Sequence, residues 1–243
     1  MTVAEHLDEL RTRLIRVLIG VTAAGGLCFW RMDWLVAILR RPLAEVMERY
    51  PDTIVMTQKT VYDGFAGAMK LAFLAGCVVG SPVILWQIWA FVGAGLYGHE
   101  RRAIKFYAIP GFVLFLLGAW LAYAFVLPLA FDFLVGYASD ELRLSTYLQW
   151  NEHVGLVAMI MFVFGLMFQL PVVMVFLMRI GVVEPATFRR YRRHAIVLAF
   201  VVGMVLTPPD VVSQTALASC LLLLYEGAIL VGARVAKPRG ENS

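Results

Sequence analysis

Six apolar runs, at residues 14–30, 65–85, 105–127, 153–178, 195–206 and 211–232, decide what this chain can fold into. A helix that crosses the hydrocarbon of a bilayer needs roughly 20 apolar residues. In lipid, every backbone polar group must be satisfied within the chain, which leaves helices or closed barrels. Six such runs predict an all-α integral membrane protein with six transmembrane helices in one membrane domain, 1–243. The share of hydrophobic residues, 61%, agrees; a soluble domain has roughly half. The net charge of +4 does not signal a nucleic-acid partner, because the bases flank apolar runs, where they report orientation. Cys28, Cys77 and Cys220 lie apart inside apolar runs and read as small core residues.

The bases set the direction of the spans. They gather at Arg11 and Arg13, at Arg101, Arg102 and Lys105, from Arg179 to Arg193, and in the tail. The loop at 31–64 balances its bases with acids, and the loop at 129–152 is acidic. By the positive-inside rule both termini are cytoplasmic. Leu7, Leu10, Leu14 and Val17 recur at helical spacing, so an amphipathic helix is predicted to run into the first span. Pro42 is expected to break the first outer loop into two helical pieces, and Pro128 to end span 3. Gly76 and Gly80 form a GxxxG pair, a signal of close helix approach, and Lys70 can snorkel outward. Span 5 offers about 12 residues, roughly 18 Å at 1.5 Å each. The fully apolar part of span 6, Thr215–Tyr225 between Gln214 and Glu226, is similarly short. Such lengths imply local thinning of the bilayer.

The stretch Ser81–Arg102 is the most distinctive polar feature. It starts at Pro82, continues through Trp86, Trp89, Phe91 and Tyr97, and ends in His99, Glu100, Arg101 and Arg102. Aromatic rings favour the headgroup level, so the stretch reads as a helix leaving the bilayer, a surface strip and a charged turn. Glu100 could bind a cationic partner, or it could neutralise its own neighbours. Glu9 stands four residues before Arg13, an orientation that supports a helix. Asp210 follows Pro208 and Pro209 and fits the N-cap of span 6. Gln169 sits near mid-depth, where polar groups tend to be functional; the local alternative is that its amide serves the Met167 carbonyl left free by Pro171, or one nearby. No nucleotide, metal or nucleophile motif is present.

His-Leu-Asp-Glu-Leu-Arg-Thr-Arg-Leu (6–14), Ser-Pro-Val-Ile-Leu-Trp-Gln-Ile-Trp-Ala-Phe (81–91), Leu-Tyr-Gly-His-Glu-Arg-Arg (96–102), Phe-Gly-Leu-Met-Phe-Gln-Leu-Pro-Val (164–172) and Val-Val-Gly-Met-Val-Leu-Thr-Pro-Pro-Asp-Val-Val-Ser-Gln (201–214) together resemble the TatC family. TatC is the multi-spanning receptor subunit of the twin-arginine protein translocase. The resemblance runs from about residue 5 to 235, in order and with fitting spacing.

The resemblance implies a cupped six-helix bundle in the bacterial plasma (inner) membrane. It implies a non-enzymatic receptor for twin-arginine signal peptides, working in the export of folded proteins. TatA- and TatB-type single-span proteins, the proton-motive force and multiple copies per complex come with it; no cofactor does. By motif match, Glu9 and Glu100 fall on the carboxylates that recognise the arginine pair, with Phe91 and Arg101 beside them. Pro42, Gln169 and Asp210 fall on positions used structurally or in transport. Two positions depart from the family pattern: Ala94 stands where Pro is frequent, and Gln169 where Glu is frequent. A solute transporter would show midplane charges and an internal repeat, and the sequence shows few of the former and none of the latter. A purely structural scaffold would tolerate neutral residues at 9 and 100.

Overall fold

The computed structural model describes residues 3–51, 53–94, 101–206 and 211–235. Helix α1, Val3–Trp30, is one continuous rod. It is about 42 Å long at ~1.5 Å per residue, longer than a hydrocarbon core of about 30 Å. Helix α2, Met32–Arg49, follows it. The second segment is α3, Asp63–Val79, and α4, Ser81–Ala94, bent by 56° at Gly80. Helix α5, Arg101–Leu121, passes through a π-helical turn at Ala122–Val126 into α6, Leu127–Gly136. Then α7, Trp150–Met167, and α8, Leu170–Arg179, form the fourth segment. Gly181, in the left-handed region at φ 77°, lets the chain turn out of α8. A short α9, Pro185–Arg190, leads to α10, Arg192–Leu206, and α11, Val211–Val235.

The six segments match the six apolar runs, and four boundaries are corrected. Span 2 is two helices rather than one rod over 65–85. Span 3 does not end at Pro128, because Pro128 sits in the first turn of α6, where its missing N–H costs little. The π turn just before it absorbs the change in pairing. The helical path then extends to Glu141 through a second π turn at Tyr137–Glu141, well into the stretch read as a loop. Pro42 does not break the outer helix: α2 runs through it, with Pro42 buried. Unforeseen is a two-stranded parallel ladder, β1 (Ile54–Thr57) with β2 (Thr146–Gln149), in the register Ile54–Thr146 to Thr57–Gln149. It ties the loops before α3 and α7 together.

Packing follows side-chain size. α1 and α3 cross where small residues meet: a Cβ on Gly76 would lie 2.7 Å from the Gly25 Cα and nitrogen. The main core joins α2 (Leu35, Leu39, Leu43, Val46) to α6 (Leu127, Phe131, Val135) and α7 (Val154, Val157, Ile160). Arg49 and Asp132 close the same interface at 2.6 Å. Helix α10, at about 22 Å, is short for a span, and it pairs with α11 as an antiparallel hairpin. Arg192 Nη2 meets Glu226 Oε2 at 2.6 Å, and Gln214 Nε2 donates to the Phe200 carbonyl at 3.1 Å. The two polar side chains that bound the apolar part of α11 are thus both paired with α10.

Candidate functional site

The N-terminal half of α1 inverts the usual amphipathic arrangement. Its leucine face is exposed, with Leu7, Leu10 and Leu14 turned away from the protein. Its polar face is the one that docks. His6 stacks on Phe91 with ring centroids 4.5 Å apart, Arg13 meets Gln87, and Gly20 lies against Val83. Residues 83, 87 and 91 recur every four along α4, so they form one stripe, antiparallel to α1. Glu9 is carried on this seam. It lies about 31 Å from Trp30 along α1, the thickness of a hydrocarbon core. That puts it at the interface opposite Trp30.

Glu9 Oε1 accepts two bonds from one guanidinium, Arg13 Nη2 at 2.6 Å and Arg13 Nε at 3.1 Å. Arg13 Nη1 donates to Gln87 Oε1 at 3.1 Å. Both charged side chains are about four-fifths buried, 17% exposed for Arg13 and 19% for Glu9. The second oxygen, Glu9 Oε2, is buried with no hydrogen-bond partner among the described residues. Outside this pair, Glu5, Asp8, Thr12 and Arg16 line a recess of about 400 Å³ with Glu9 and Arg13. The arrangement is an acidic pocket at a membrane interface with one acceptor oxygen unused. Its chemistry suits a planar cation that donates several N–H bonds at once.

Glu9 and Phe91 are thus brought to one seam. Glu100, Asp210 and the side chain of Arg101 lie outside the described residues. The backbone of α4 ends six residues before Glu100, on the side of the seam where Phe91 stands. The helical i,i+4 contact of Glu9 with Arg13 forms as its spacing predicts. Its extension to Gln87 was missed, and so was the His6–Phe91 stack. The signal was the four-residue period of Val83, Gln87 and Phe91, which means little until the facing helix is known.

The other face of α4 serves a second polar point. Trp89, 5% exposed, packs against Tyr107 and Phe176. Beside it, Gln169 Nε2 donates to the Gly111 carbonyl at 2.8 Å. A Cβ on Gly111 would fall 3.0 Å from Gln169 Oε1 and 3.4 Å from Trp89 Nε1. Gln169 therefore joins α8 to α5 next to two proline positions, Pro110 and Pro171. Its amide does not serve the carbonyl freed by Pro171, which was one of the two readings of the sequence. Pro42 is distant from both points, inside helix α2.

The model of the family described as Sec-independent protein translocase protein (TatC) matches residues 5–219. TatC of Aquifex aeolicus is 35% identical over 241 residues, covering 99% of this chain and 98% of that one. TatC of Escherichia coli K12 is 36% identical over 221 residues, covering 91% and 84%. A crystal structure of the twin-arginine translocase receptor TatC in DDM superposes with a TM-score of 0.81 at 35% identity, covering 93% of this chain and 99% of that one. With helices that span the membrane and a match along nearly its whole length, the chain belongs to the TatC family, multi-pass components of the Sec-independent protein translocase in the plasma membrane, which are transport proteins and not enzymes.

Proposed function

We propose that this chain is the signal-peptide receptor of a twin-arginine translocase. Glu9 and Glu100 each take one guanidinium of the arginine pair at the cytoplasmic face, and Phe91 and Arg101 border the site. The single observation that carries the reading is Glu9: a carboxylate at an interface, held on the α1–α4 seam, with Oε2 buried and without a partner among the described residues. A buried acceptor without a donor costs about 1–3 kcal/mol, so a cationic donor that reaches it gains what the empty site lacks. Low water content at the headgroup level strengthens the pairing. Both termini are cytoplasmic by the asymmetry of the bases, which puts Glu9 on the side where signal peptides arrive. Once bound, the peptide nucleates assembly with TatA- and TatB-type proteins in a complex of several copies, and the proton-motive force drives export. Pro42, Gln169 and Asp210 act in structure or transport rather than in peptide binding.

The experiment is photocrosslinking of a twin-arginine signal peptide to probes placed at His6, Gln87 and beside Glu100, with binding measured in nanodiscs. Glu9→Gln and Glu100→Gln should each weaken binding by about 1.5–3 kcal/mol, the scale of a charge-assisted bond. Yields of folded protein should be unchanged. Equal binding by a Lys-Lys peptide, or crosslinks confined to the opposite face, would overturn the assignment.

A further inference from the structure

The pocket around Glu9 is already occupied by a guanidinium of its own chain. Arg13 presents two N–H groups to Glu9 Oε1, the same kind of contact that a signal-peptide arginine would make. Its third contact fixes it from the other helix, Nη1 to Gln87 Oε1. A bare i,i+4 pair on a helix surface is weak and mobile. This one is about four-fifths buried and tethered across the α1–α4 seam. We infer that Arg13, anchored by Gln87, is an internal competitor for the arginine site, so that an incoming guanidinium binds only by displacing it from Glu9.

The geometry supplies an order of events. Glu9 Oε2 has no partner among the described residues but is buried, so the incoming guanidinium reaches it only as Arg13 begins to move. A guanidinium that takes both carboxylate oxygens makes two parallel bonds, whereas Arg13 in its present position uses one oxygen. Arg13 then swings off Oε1 toward the open recess lined by Asp8 and Thr12, and its bond to Gln87 breaks as it leaves. On release the sequence runs backwards, and Arg13 regains Glu9 Oε1 and Gln87 Oε1 together. The site is never left as a bare buried carboxylate, and cations that offer a single donor have little to exchange for the contact they must break. The proposal rests on the reading that Glu9 binds signal-peptide arginines, and it adds how that site is regulated.

Competition makes a quantitative statement. If a fraction of the receptor is self-occupied, the apparent affinity for every ligand of that site falls by the same factor. Gln87→Leu keeps bulk, leaves Glu9 and Arg13 in place, and removes the tether. It should tighten binding of a twin-arginine peptide about threefold to tenfold, the factor that corresponds to one hydrogen bond. Peptides with Lys in place of one Arg should gain by the same factor, so the ratio between peptides stays constant. Arg13→Lys, which keeps the charge but loses the fork of donors, should shift affinity the same way. A gain in binding is not a result that misfolding produces.

The measurement is the Kd of fluorescent signal peptides for the full-length protein in nanodiscs, with Glu9→Gln made in both the native and the Gln87→Leu backgrounds. Tighter binding in Gln87→Leu with a constant ratio, weaker binding with Glu9→Gln in the native background, and loss of the Gln87→Leu gain when Glu9→Gln is added, is the expected result. Unchanged or weaker binding in both Gln87→Leu and Arg13→Lys overturns internal competition. A changed ratio between peptides also overturns it, because Gln87 would then touch the peptide directly. In these two cases, loss of binding in Glu9→Gln leaves the receptor reading standing. If Glu9→Gln binds like the native protein, the reading of Glu9 itself is lost and the competitor with it.

Discussion

The hydroxyl of Tyr123 donates to the carbonyl of Ile38 at 2.7 Å, and Ile38 is the residue whose helical partner Pro42 removes. A proline inside a helix deprives the carbonyl four residues earlier of its N–H. Tyr123 supplies the missing donor from another segment. It does so from within the π turn Ala122–Val126, where the local widening reorients the side chains. An interior proline that costs about 3 kcal/mol on its own is in this way retained in an unbroken α2. Tyr123→Phe should therefore destabilise the protein by about 1–2 kcal/mol. Pro42→Ala restores the N–H at position 42, so Tyr123→Phe should be nearly silent in that background. Unfolding of the two single variants and the double variant in detergent gives the coupling; additive effects would contradict this pairing.

The crossing of α1 and α3 has no slack. Around Gly76 the neighbours of an added Cβ are backbone atoms of Gly25 and the Val21 carbonyl, at 2.7–3.0 Å. Backbone cannot rotate away as a side chain can, so the helices must separate. Gly76→Ala should cost at least about 2 kcal/mol, with Gly76→Val worse. Gly26 stands next to Gly25 but has nothing within 4 Å of an added Cβ, so Gly26→Ala should be neutral or slightly stabilising. Thermal unfolding of the pair tests the crossing, since equal losses at 26 and 76 would show that helix propensity, not contact, is being measured.

The orientation of the chain is open to a direct test. Asp140, on the second π turn, and Arg190, at the end of α9, are both exposed and belong to opposite ends of the spans. In a variant lacking Cys28, Cys77 and Cys220, single cysteines at these positions should react with an impermeant thiol reagent from opposite sides. The position 190 thiol should react only after the membrane is opened. Labelling of both from outside in intact cells contradicts six spans with cytoplasmic termini.

The apolar runs made the six segments legible because hydrocarbon leaves helices little alternative. The Gly76 contact was legible because small residues at a four-residue spacing have few other uses in a span. What escaped the sequence depended on partners distant along the chain. Pro42 and Pro128 were read as breaks, which is correct for a helix in isolation. Tyr123 in one case and a π turn in the other changed the outcome. The strands Ile54–Thr57 and Thr146–Gln149 are four residues each, too short to show an alternating pattern, and they pair across most of two loops. Glu9 was visible as a candidate, but the tether of its partner Arg13 to Gln87 was not, because the α1–α4 register fixes it and no local spacing encodes it.

Gln169 decides between two accounts of a polar side chain near mid-membrane. Its position ten residues before Arg179 corresponds to about 15 Å of helix, half the hydrocarbon thickness. Nε2 donates to the Gly111 carbonyl on α5, not to a carbonyl of its own helix. In lipid such interhelical bonds contribute about 0.6–2 kcal/mol, so Gln169→Leu should lower stability by about 1 kcal/mol. Pro171→Ala repairs the helix of α8 but supplies nothing to Gly111, so it should not rescue Gln169→Leu. Gly111→Ala offers an independent route to the same contact, because its Cβ would press on Gln169 Oε1 at 3.0 Å. It should weaken the α5–α8 bridge while leaving residue 169 unchanged. If the bridge positions Gln169 for transport, Gln169→Leu and Gly111→Ala both lower export and leave signal-peptide affinity intact, and Gln169→Leu stays impaired when Pro171 is Ala. Measuring unfolding, peptide binding and export for the two single variants and the Gln169→Leu, Pro171→Ala double decides the matter. Full rescue by Pro171→Ala would remove any role for Gln169 beyond repair of its own helix.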